Sequence, residues 1–303
     1  MAAIYVEADI RAPLELLWQR TQDPGLHQRW DLRFSEIEYL PRASETEPQR
    51  FRYATRGGLG LTVEGTGETV GQRDLPDGSS TSALRFGSGS QLSLIREGSG
   101  YWRYTPTDAG VSFATRYDYR TRFGRPGAIV DRFLFRPLMG WATAWSFDRL
   151  RLWLEREVAP EVALVAALAH AAARLALAVV FAYQGLVPKL IASDVDEAAM
   201  LADLGVARAD VATAMTVTGV AEVVFAIVLV LLWHRRWPVV AVAAFAIVAL
   251  MVVAVTSPGY LVAAFNPVSL NLAILALAVV DVLVLPFAPD AGRCHRRRSG
   301  PPR

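Results

Sequence analysis

Four long apolar segments in the second half of the chain constrain its fold more than any other feature. Between residues 159 and 289 the sequence consists mostly of alanine, valine and leucine. A helix needs about 20 apolar residues to cross a bilayer, and the segments of this length lie at residues 172–190, 211–233, 238–256 and 267–287. Soluble helices normally carry a polar face, which these segments hardly have. Residues 159–289 are therefore predicted to form an all-α, four-helix transmembrane bundle, with a lead-in helix over residues 161–171.

The distribution of basic residues indicates how these segments are oriented. The loop between the second and third segments reads HRRW, and the tail over residues 290–303 is rich in arginine. The loop over residues 194–210, between the first and second segments, is acidic. The positive-inside rule then places the basic loop, the basic tail and the N-terminal half in the cytoplasm. The predicted location is the cell membrane, with several spans and both ends cytoplasmic.

Five polar side chains interrupt the apolar segments, at Arg174, Gln184, Glu222, Asn271 and Asp281. Ionisable groups are costly to place in a membrane, so those that occur there are functional candidates by default. The alternative role is structural, in which Arg174 pairs with Asp281 and a protonated Glu222 bonds to Gln184. His170, just before the first segment, is expected at the membrane interface rather than in a ligand set.

Glu222 lies near the middle of the second segment. Inserting a charged side chain there costs about 2.5–3.5 kcal/mol, and each Val, Leu, Ile or Phe returns about 0.3–0.6 kcal/mol, so the apolar neighbours offset the cost. Gly219 and Ala226 share the helical face of Glu222, and small residues let another helix approach closely. We therefore expect Glu222 to point into the bundle, with either a structural or a proton-carrying role.

Three motifs of the apolar half occur in the order found in one family of membrane proteins. They read ARLALAVVFAYQGLVPKL, TGVAEVVFAIVLVLL and AAFNPVSLNLAILALAVVDVL. Over residues 172–285 the chain resembles the DoxX-like family of small four-helix membrane proteins. Some members of the wider family are linked to thiol or sulfur oxidation coupled to quinones, so the resemblance offers a redox complex as an alternative role. Because the chain has one cysteine, Cys294, and no clustered ligands, we expect neither a metal nor a cofactor.

The first half, residues 1–158, mixes charged, aromatic and glycine residues as a soluble domain does. Residues 4–10 alternate like a half-buried strand, and the helix that follows is ended by DPG. Further strand-like runs, separated by turn residues, lie at residues 34–40, 50–55, 59–65, 82–86, 91–96, 101–106 and 111–120. One long helix over residues 126–157, bent at Pro137, is predicted to close the domain.

The segments IRAPLELLWQRTQDPGLHQRWD and VDRFLFRPLMGWATAWSFDRLRLWLE open and close this half. Through them, residues 4–157 resemble the SRPBCC superfamily, which includes START-like and polyketide cyclase/dehydrase-like domains. The resemblance implies an α+β helix-grip fold, an antiparallel sheet around a long C-terminal helix, that holds a hydrophobic molecule such as a lipid or a polyketide-like compound. Candidate pocket residues are Trp30, Tyr53, Trp102, Tyr104, Tyr117, Phe133, Met139 and Trp141. Candidates for an acid, a base or an anchor are His27, Asp31 and Arg116.

The leading interpretation is a membrane protein whose cytoplasmic domain binds a hydrophobic small molecule or lipid. An enzyme of the cyclase or hydratase type is one alternative and would need an ionisable residue in the pocket. A membrane subunit of a thiol- or quinone-linked redox complex, with a membrane or redox protein as partner, is the other. The sequence contains no G-x-S-x-G, phosphate-loop or HExxH motif. A net charge of +2 gives no indication of a nucleic-acid partner.

Overall fold

A computed structural model of the protein describes residues 3–44, 46–57, 60–262 and 266–297. The backbone separates into two compact units. One unit contains Met1–Leu164 together with Pro289–Arg303, and the other contains Val165–Ala288. The C-terminal tail therefore belongs, by its contacts, to the same unit as the N-terminal half.

A seven-stranded antiparallel sheet forms the centre of the first unit. Its strands are β1 (Ile4–Ile10), β2 (Glu36–Tyr39), β3 (Arg50–Arg56), β4 (Thr62–Asp74), β5 (Ser80–Gly87), β6 (Ile95–Thr107) and β7 (Gly110–Thr121). They lie in the order β1-β7-β6-β5-β4-β3-β2, so that β2 to β7 form successive hairpins and β1 pairs with β7. Ile4, Val6, Ala8 and Ile10 are buried, because alternate side chains of a strand point to the same face.

The strand predicted over residues 91–96 is wrong in most of its length, because only residues 95 and 96 belong to β6, which continues through the strand predicted over residues 101–106. Residues 91–94 form a turn, in which the hydroxyl of Ser93 donates to the carbonyl of Ile95 at 2.8 Å. Short polar side chains of this kind compete with the sheet for backbone groups. The strand predicted over residues 59–65 starts at Leu59, outside the described residues, and the described strand β4 continues well past it.

Helices follow the first and the last strand of the sheet in the sequence. Near the N-terminus lie α1 (Leu14–Gln22) and α2 (Pro24–Trp30), and after β7 come α3 (Gly124–Val130), a π-helical turn (Asp131–Phe135) and α4 (Arg136–Arg156). Asp23 caps α2 by accepting a hydrogen bond from the Leu26 amide at 2.9 Å. The predicted closing helix is present, and the π turn ends two residues before Pro137, whose missing amide interrupts regular hydrogen bonding.

The C-terminal tail packs against α4 and β1. Glu7 and His295 exchange backbone hydrogen bonds of 2.9 and 2.8 Å, and the Asp290 amide donates to the Asp148 carboxylate at 2.8 Å. The buried thiol of Cys294 donates to the Ala144 carbonyl at 3.2 Å. Burial raises the pKa of Cys294 to about 12, so the lone cysteine is a structural residue that fastens the tail.

Four helical stretches of the second unit are long and apolar enough to cross a membrane. They are Pro160–Gln184 (α5) with a π-helical continuation over Gly185–Ile191, Val211–Leu231 (α7), Trp237–Thr256 (α8) and Pro267–Val284 (α9), with the short helix Val195–Asp203 (α6) after the first. The predicted lead-in helix is continuous with the first span. Leu177, Leu229 and Val242 are fully buried among the helices, whereas most outward side chains are large and apolar, as a lipid solvent requires.

Candidate functional site

A cavity of about 680 Å³ lies in the first unit between the sheet and the stretch from α3 to α4. Its walls are mainly aromatic and aliphatic. The apolar lining residues absent from the sequence prediction include Phe34, Ile37, Phe51, Val63, Leu84, Phe86, Leu94, Phe123, Val130 and Phe135. A volume of this size is typical of small-molecule sites, which span about 300–1,000 Å³.

Two glycines of β4 allow aromatic rings to form one wall of this cavity. A Cβ atom added to Gly65 would lie 2.2 Å from Cζ of Tyr53, and one added to Gly67 would lie 2.3 Å from Cζ of Phe51. The two rings of β3 therefore cross over β4 where any larger residue would exclude them. The Tyr53 hydroxyl donates to the Gly87 carbonyl at 3.2 Å, which fixes its ring in place.

Four of the eight predicted pocket residues line the cavity: Tyr53, Trp102, Tyr117 and Met139. Trp30 and Tyr104 do not line the cavity; their side chains are packed in the core, where both are fully buried. Trp30 donates through Nε1 to the Arg20 carbonyl at 2.9 Å. The Tyr104 hydroxyl lies 2.7 Å from the Thr21 hydroxyl, which satisfies its polar end within the core.

Phe133 and Trp141 do not line the cavity either, and their side chains are 73% and 41% exposed. Phe133 lies in the π turn over Asp131–Phe135, whose extra residue per turn shifts the helical faces at this point. Trp141 lies two residues after Met139 in α4, which places it on the opposite side of that helix. Phe135 and Met139, rather than Phe133 and Trp141, consequently reach the cavity.

A charged cluster stands at the wall of the cavity. Arg33, which lines it, holds the fully buried Asp31 carboxylate through Nε at 2.9 Å and Nη2 at 2.6 Å. Nε2 of His27, also a lining residue, lies 3.0 Å from Oδ2 of the same carboxylate. Burial alone would raise the pKa of Asp31, but the charge and hydrogen bonds of Arg33 and the contact with His27 hold that pKa well below its ordinary value.

Two of the three predicted acid, base or anchor residues thus lie together, and the third does not. Arg116 is exposed on the sheet, because it alternates with the inward-facing Tyr117 along β7. Arg33 was not predicted, although the spacing of Asp31 and Arg33 carried a signal. An aspartate commonly accepts from the backbone N–H two residues on in a turn, as Asp31 does from Arg33 at 3.1 Å, and a carboxylate with a guanidinium at that spacing suits a two-pronged contact.

In the membrane unit, three ionisable side chains meet in a fully buried cluster. Nε of Arg174 lies 2.9 Å from Oδ2 of Asp281, which is the predicted pair. Nδ1 of His170 contacts the other carboxylate oxygen, so His170 is buried within the protein. Nη2 of Arg174 also donates to the Arg235 carbonyl at 3.1 Å, which links the cluster to the loop after α7.

A second polar cluster involves Lys189, the only lysine of the chain. Its Nζ lies 3.1 Å from Oε2 of Glu222 and 3.3 Å from Oε2 of Glu197. Glu222 contacts the first predicted span, as expected, but through Lys189 and not through the Gln184 side chain; the Gln184 backbone carbonyl accepts from Lys189 at 3.3 Å. The remaining intramembrane candidate, Asn271, donates to the Pro267 carbonyl at 2.8 Å within its own helix.

Comparisons with known proteins place these features in a family. The profile described as the DoxX-like family matches residues 178–279. The uncharacterized membrane protein YndG of Bacillus subtilis (strain 168) is 49% identical over 183 residues, which cover 60% of this chain and 68% of YndG. The chain belongs to the YndG family. Its membrane unit contains the DoxX-like domain, which confirms the predicted family.

Solved structures similar to this YndG relative match its N-terminal sheet domain. One is the STAR-related lipid transfer protein from Xanthomonas axonopodis, with 16% identity and a TM-score of 0.39 over 50% of this chain and 84% of that chain. Another is the di-domain ARO/CYC StfQ from the steffimycin biosynthetic pathway, with 15% identity and a TM-score of 0.40 over 52% of this chain and 51% of that chain. The predicted fold class is confirmed: an antiparallel helix-grip domain is followed by four membrane-capable helices.

The cavity of this YndG-family protein suits an apolar molecule with a polar end. Among the described lining residues, Arg33 is the one with a permanent charge, and its guanidinium has five N–H donors, of which two contact Asp31. His27 packs its ring 4.9 Å from Trp30 and 5.0 Å from Trp102. When Asp31 accepts the Nε2 proton of His27, Nδ1 is left as the proton acceptor.

Proposed function

We propose that the helix-grip domain of this membrane protein binds a hydrophobic small molecule, a lipid or a polyketide-like compound, in the cavity between its sheet and α4. The observation that carries the proposal is the cavity of about 680 Å³ with aromatic walls and a single guanidinium, Arg33. An apolar chain or ring system would bury its surface against these walls. A carbonyl, hydroxyl or acidic group at its end would receive hydrogen bonds from Arg33.

We also propose that the binding domain faces the cytoplasm. Both ends of the membrane unit continue into the first unit, which supports an even number of crossings. The loop HRRW and the tail, both basic, lie on that side, and the loop with α6 is acidic. The bias of arginine toward cytoplasmic loops supports this orientation.

Native mass spectrometry of the full chain, released from mild detergent, tests the binding proposal. The wild-type protein should carry an apolar adduct acquired in the cell. Leu84→Trp fills the cavity from β5 and should reduce the adduct at least tenfold, whereas Val70→Trp, at an exposed position on β4, should leave it unchanged. A wild-type protein without adduct, or equal amounts of adduct in both variants, would contradict the proposal.

Acid–base chemistry on the bound molecule is a second candidate function, favoured by the contact of the cavity-lining His27 with the buried Asp31. A carboxylate that orients a histidine in this way leaves one ring nitrogen to take up a proton. The wild-type protein in D₂O should exchange deuterium into its adduct, and His27→Gln should bind the adduct without exchange. Equal exchange in the two proteins would show that His27 takes no part.

A redox role has less to support it. That alternative relied on Glu222 as a proton or quinone contact, and Glu222 is engaged by Lys189 in the structure. An ion pair of this kind accommodates the carboxylate without an external partner.

A further inference from the structure

Large apolar side chains cluster on the surface of the first unit, along α3, the π turn and the start of α4. This apolar patch consists of Phe123, Ile129, Val130, Phe133, Leu134, Leu138 and Trp141, which are all exposed. Ile129 and Phe133, and likewise Leu134 and Leu138, are helical neighbours four residues apart. Single exposed apolar residues are ordinary, but a contiguous group of this size marks an interaction surface.

The charges around the apolar patch are positive. Arg125 and Arg132 are exposed, and Asp131 is the one acidic residue between positions 122 and 147. That carboxylate is buried, accepting from Arg136 at 2.8 Å and from the Tyr119 hydroxyl at 2.6 Å. The exposed surface therefore combines apolar bulk with uncompensated arginines, a combination that binds the interface of an anionic bilayer.

The apolar patch is continuous with the ligand cavity. Phe123 and Val130 are exposed members of the patch, and both also line the cavity. Their side chains stand at the mouth, where the interior of the cavity reaches the surface. An apolar molecule leaving through this mouth would enter water unless another apolar phase covered the patch.

We propose that the apolar patch docks on the anionic surface of the bilayer in which the chain is anchored, and that the cavity exchanges its ligand with the lipid phase through the mouth at Phe123 and Val130. The bilayer is the fitting occupant because the same chain contains four candidate membrane spans and because Arg125 and Arg132 complement its negative headgroups. The docking surface stands on its own observations, and the exchange route rests on the proposed binding function.

Spin labelling of the full chain in phosphatidylcholine–phosphatidylglycerol vesicles tests the docking. Nitroxides are attached to Phe133→Cys in the patch, to Val70→Cys on the sheet and to Leu231→Cys, which is 75% exposed on α7. Cys294 is buried, and unsubstituted protein measures its residual labelling. The label at position 133 should be more accessible to oxygen than to a nickel complex, like that at 231, whereas the label at 70 should show the reverse.

Two outcomes would overturn the docking. A label at position 133 that behaves like the one at 70 would place the patch in water, and a label shielded from both reagents would place it against protein. The pair Arg125→Glu and Arg132→Glu should reduce the depth of the 133 label in these vesicles but not in pure phosphatidylcholine. An unchanged depth would remove the electrostatic part of the proposal.

The exchange route is tested separately with Phe133→Asp combined with Leu138→Asp. This variant should lose docking and load several-fold less of the mass-spectrometric adduct. Leu84→Trp should keep docking while it loses the adduct, whereas docking by a wild-type protein that carries no adduct would contradict ligand binding but not docking. An adduct that persists in the undocked variant at the wild-type level would contradict exchange through the patch but not binding.

Discussion

At the scale of single residues, the buried carboxylate of Asp31 is stabilised by hydrogen bonds with two neighbouring side chains. Arg33 supplies a two-pronged contact and His27 a third hydrogen bond. A fully buried charge without partners is strongly destabilising, whereas the same charge within a complete set of hydrogen bonds is tolerated. The cluster thus places a guanidinium at the cavity wall at an acceptable cost to the stability of the fold.

The depressed pKa of Asp31 predicts a specific dependence of stability on pH. Its stabilising effect is fully present above the unfolded-state pKa of about 3.9 and is lost as the pH falls from about 4 through the lower folded-state pKa. Asp31→Asn should cost about 3–5 kcal/mol at neutral pH and flatten the acid limb of the stability curve. Tryptophan fluorescence during thermal unfolding, recorded between neutral and acidic pH, measures both effects.

Asp77→Asn is the control for this prediction. Asp77 pairs with Arg103 at 3.1 Å on the surface, where solvent screens the ion pair and leaves it little effect on stability. This variant should resemble the wild type at neutral pH. If Asp31→Asn lost no more stability than Asp77→Asn, the central role given to the buried cluster would be wrong.

Glu222 and Lys189 form the corresponding pair in the membrane unit. Removing Lys189 leaves Glu222 unpaired in an apolar setting, which costs about 3–5 kcal/mol for buried pairs, while replacing both by apolar residues is often close to neutral. Lys189→Met should therefore destabilise the bundle more than the double variant with Glu222→Leu does, whereas Glu222→Leu alone leaves Lys189 its contact with Glu197. Helix loss in graded detergent denaturation, followed by circular dichroism, completes the double-mutant cycle. Additive losses would show that the two side chains are not coupled.

At the scale of elements, the wall of the cavity depends on the glycines of β4. Gly65→Ala would press a methyl group into the Tyr53 ring and the Gly87 carbonyl, 2.2 and 2.6 Å away. Overpacking of this kind costs about 1–3 kcal/mol, so the first unit should unfold at a lower temperature and lose adduct. Gly71→Ala in the same strand meets nothing within 4 Å and should keep both. Equal behaviour of the two variants would contradict this description of the wall.

Periodicity predicts the elements of this chain better than it predicts their faces. The alternation in β1 and the long apolar helices could be read from the sequence, because burial on one side or in lipid leaves a regular pattern. The π turn before Pro137 leaves no such pattern, and it decides that Phe135 faces the cavity and Phe133 faces outward. The serine-rich turn before Ile95 was likewise missed, since its bonds are local.

Ionic partners in the candidate sites could be predicted where the sequence offered few alternatives. Arg174 and Asp281 were paired from the sequence because charges of opposite sign inside a membrane have few other partners. The partner of Glu222 was missed because Lys189 lies beyond the regular part of its helix, in a π turn. Arg33 was missed because an arginine close to an aspartate in the sequence normally indicates an ion pair on the surface. Only the fold shows that this pair is buried.

At the scale of the whole molecule, two units share one chain path. The chain leaves the first unit once, forms the four membrane helices and returns, and its tail then packs onto α4. The tail therefore contributes to the stability of the first unit. Both the cavity and the buried ionic clusters lie within single units, so each can be tested by variants of one unit in the intact protein.

The most direct test of the central claim is to capture the bound molecule inside the cell. The photoreactive amino acid p-benzoylphenylalanine replaces Met139, which lines the cavity, or Val70 as the exposed control, in the full-length protein. After irradiation of intact cells, mass spectrometry should find a covalent adduct of an apolar small molecule at position 139 and none at position 70. Folded protein that carries no small-molecule adduct at position 139, or the same adduct at both positions, would contradict the claim that this cavity binds a hydrophobic ligand.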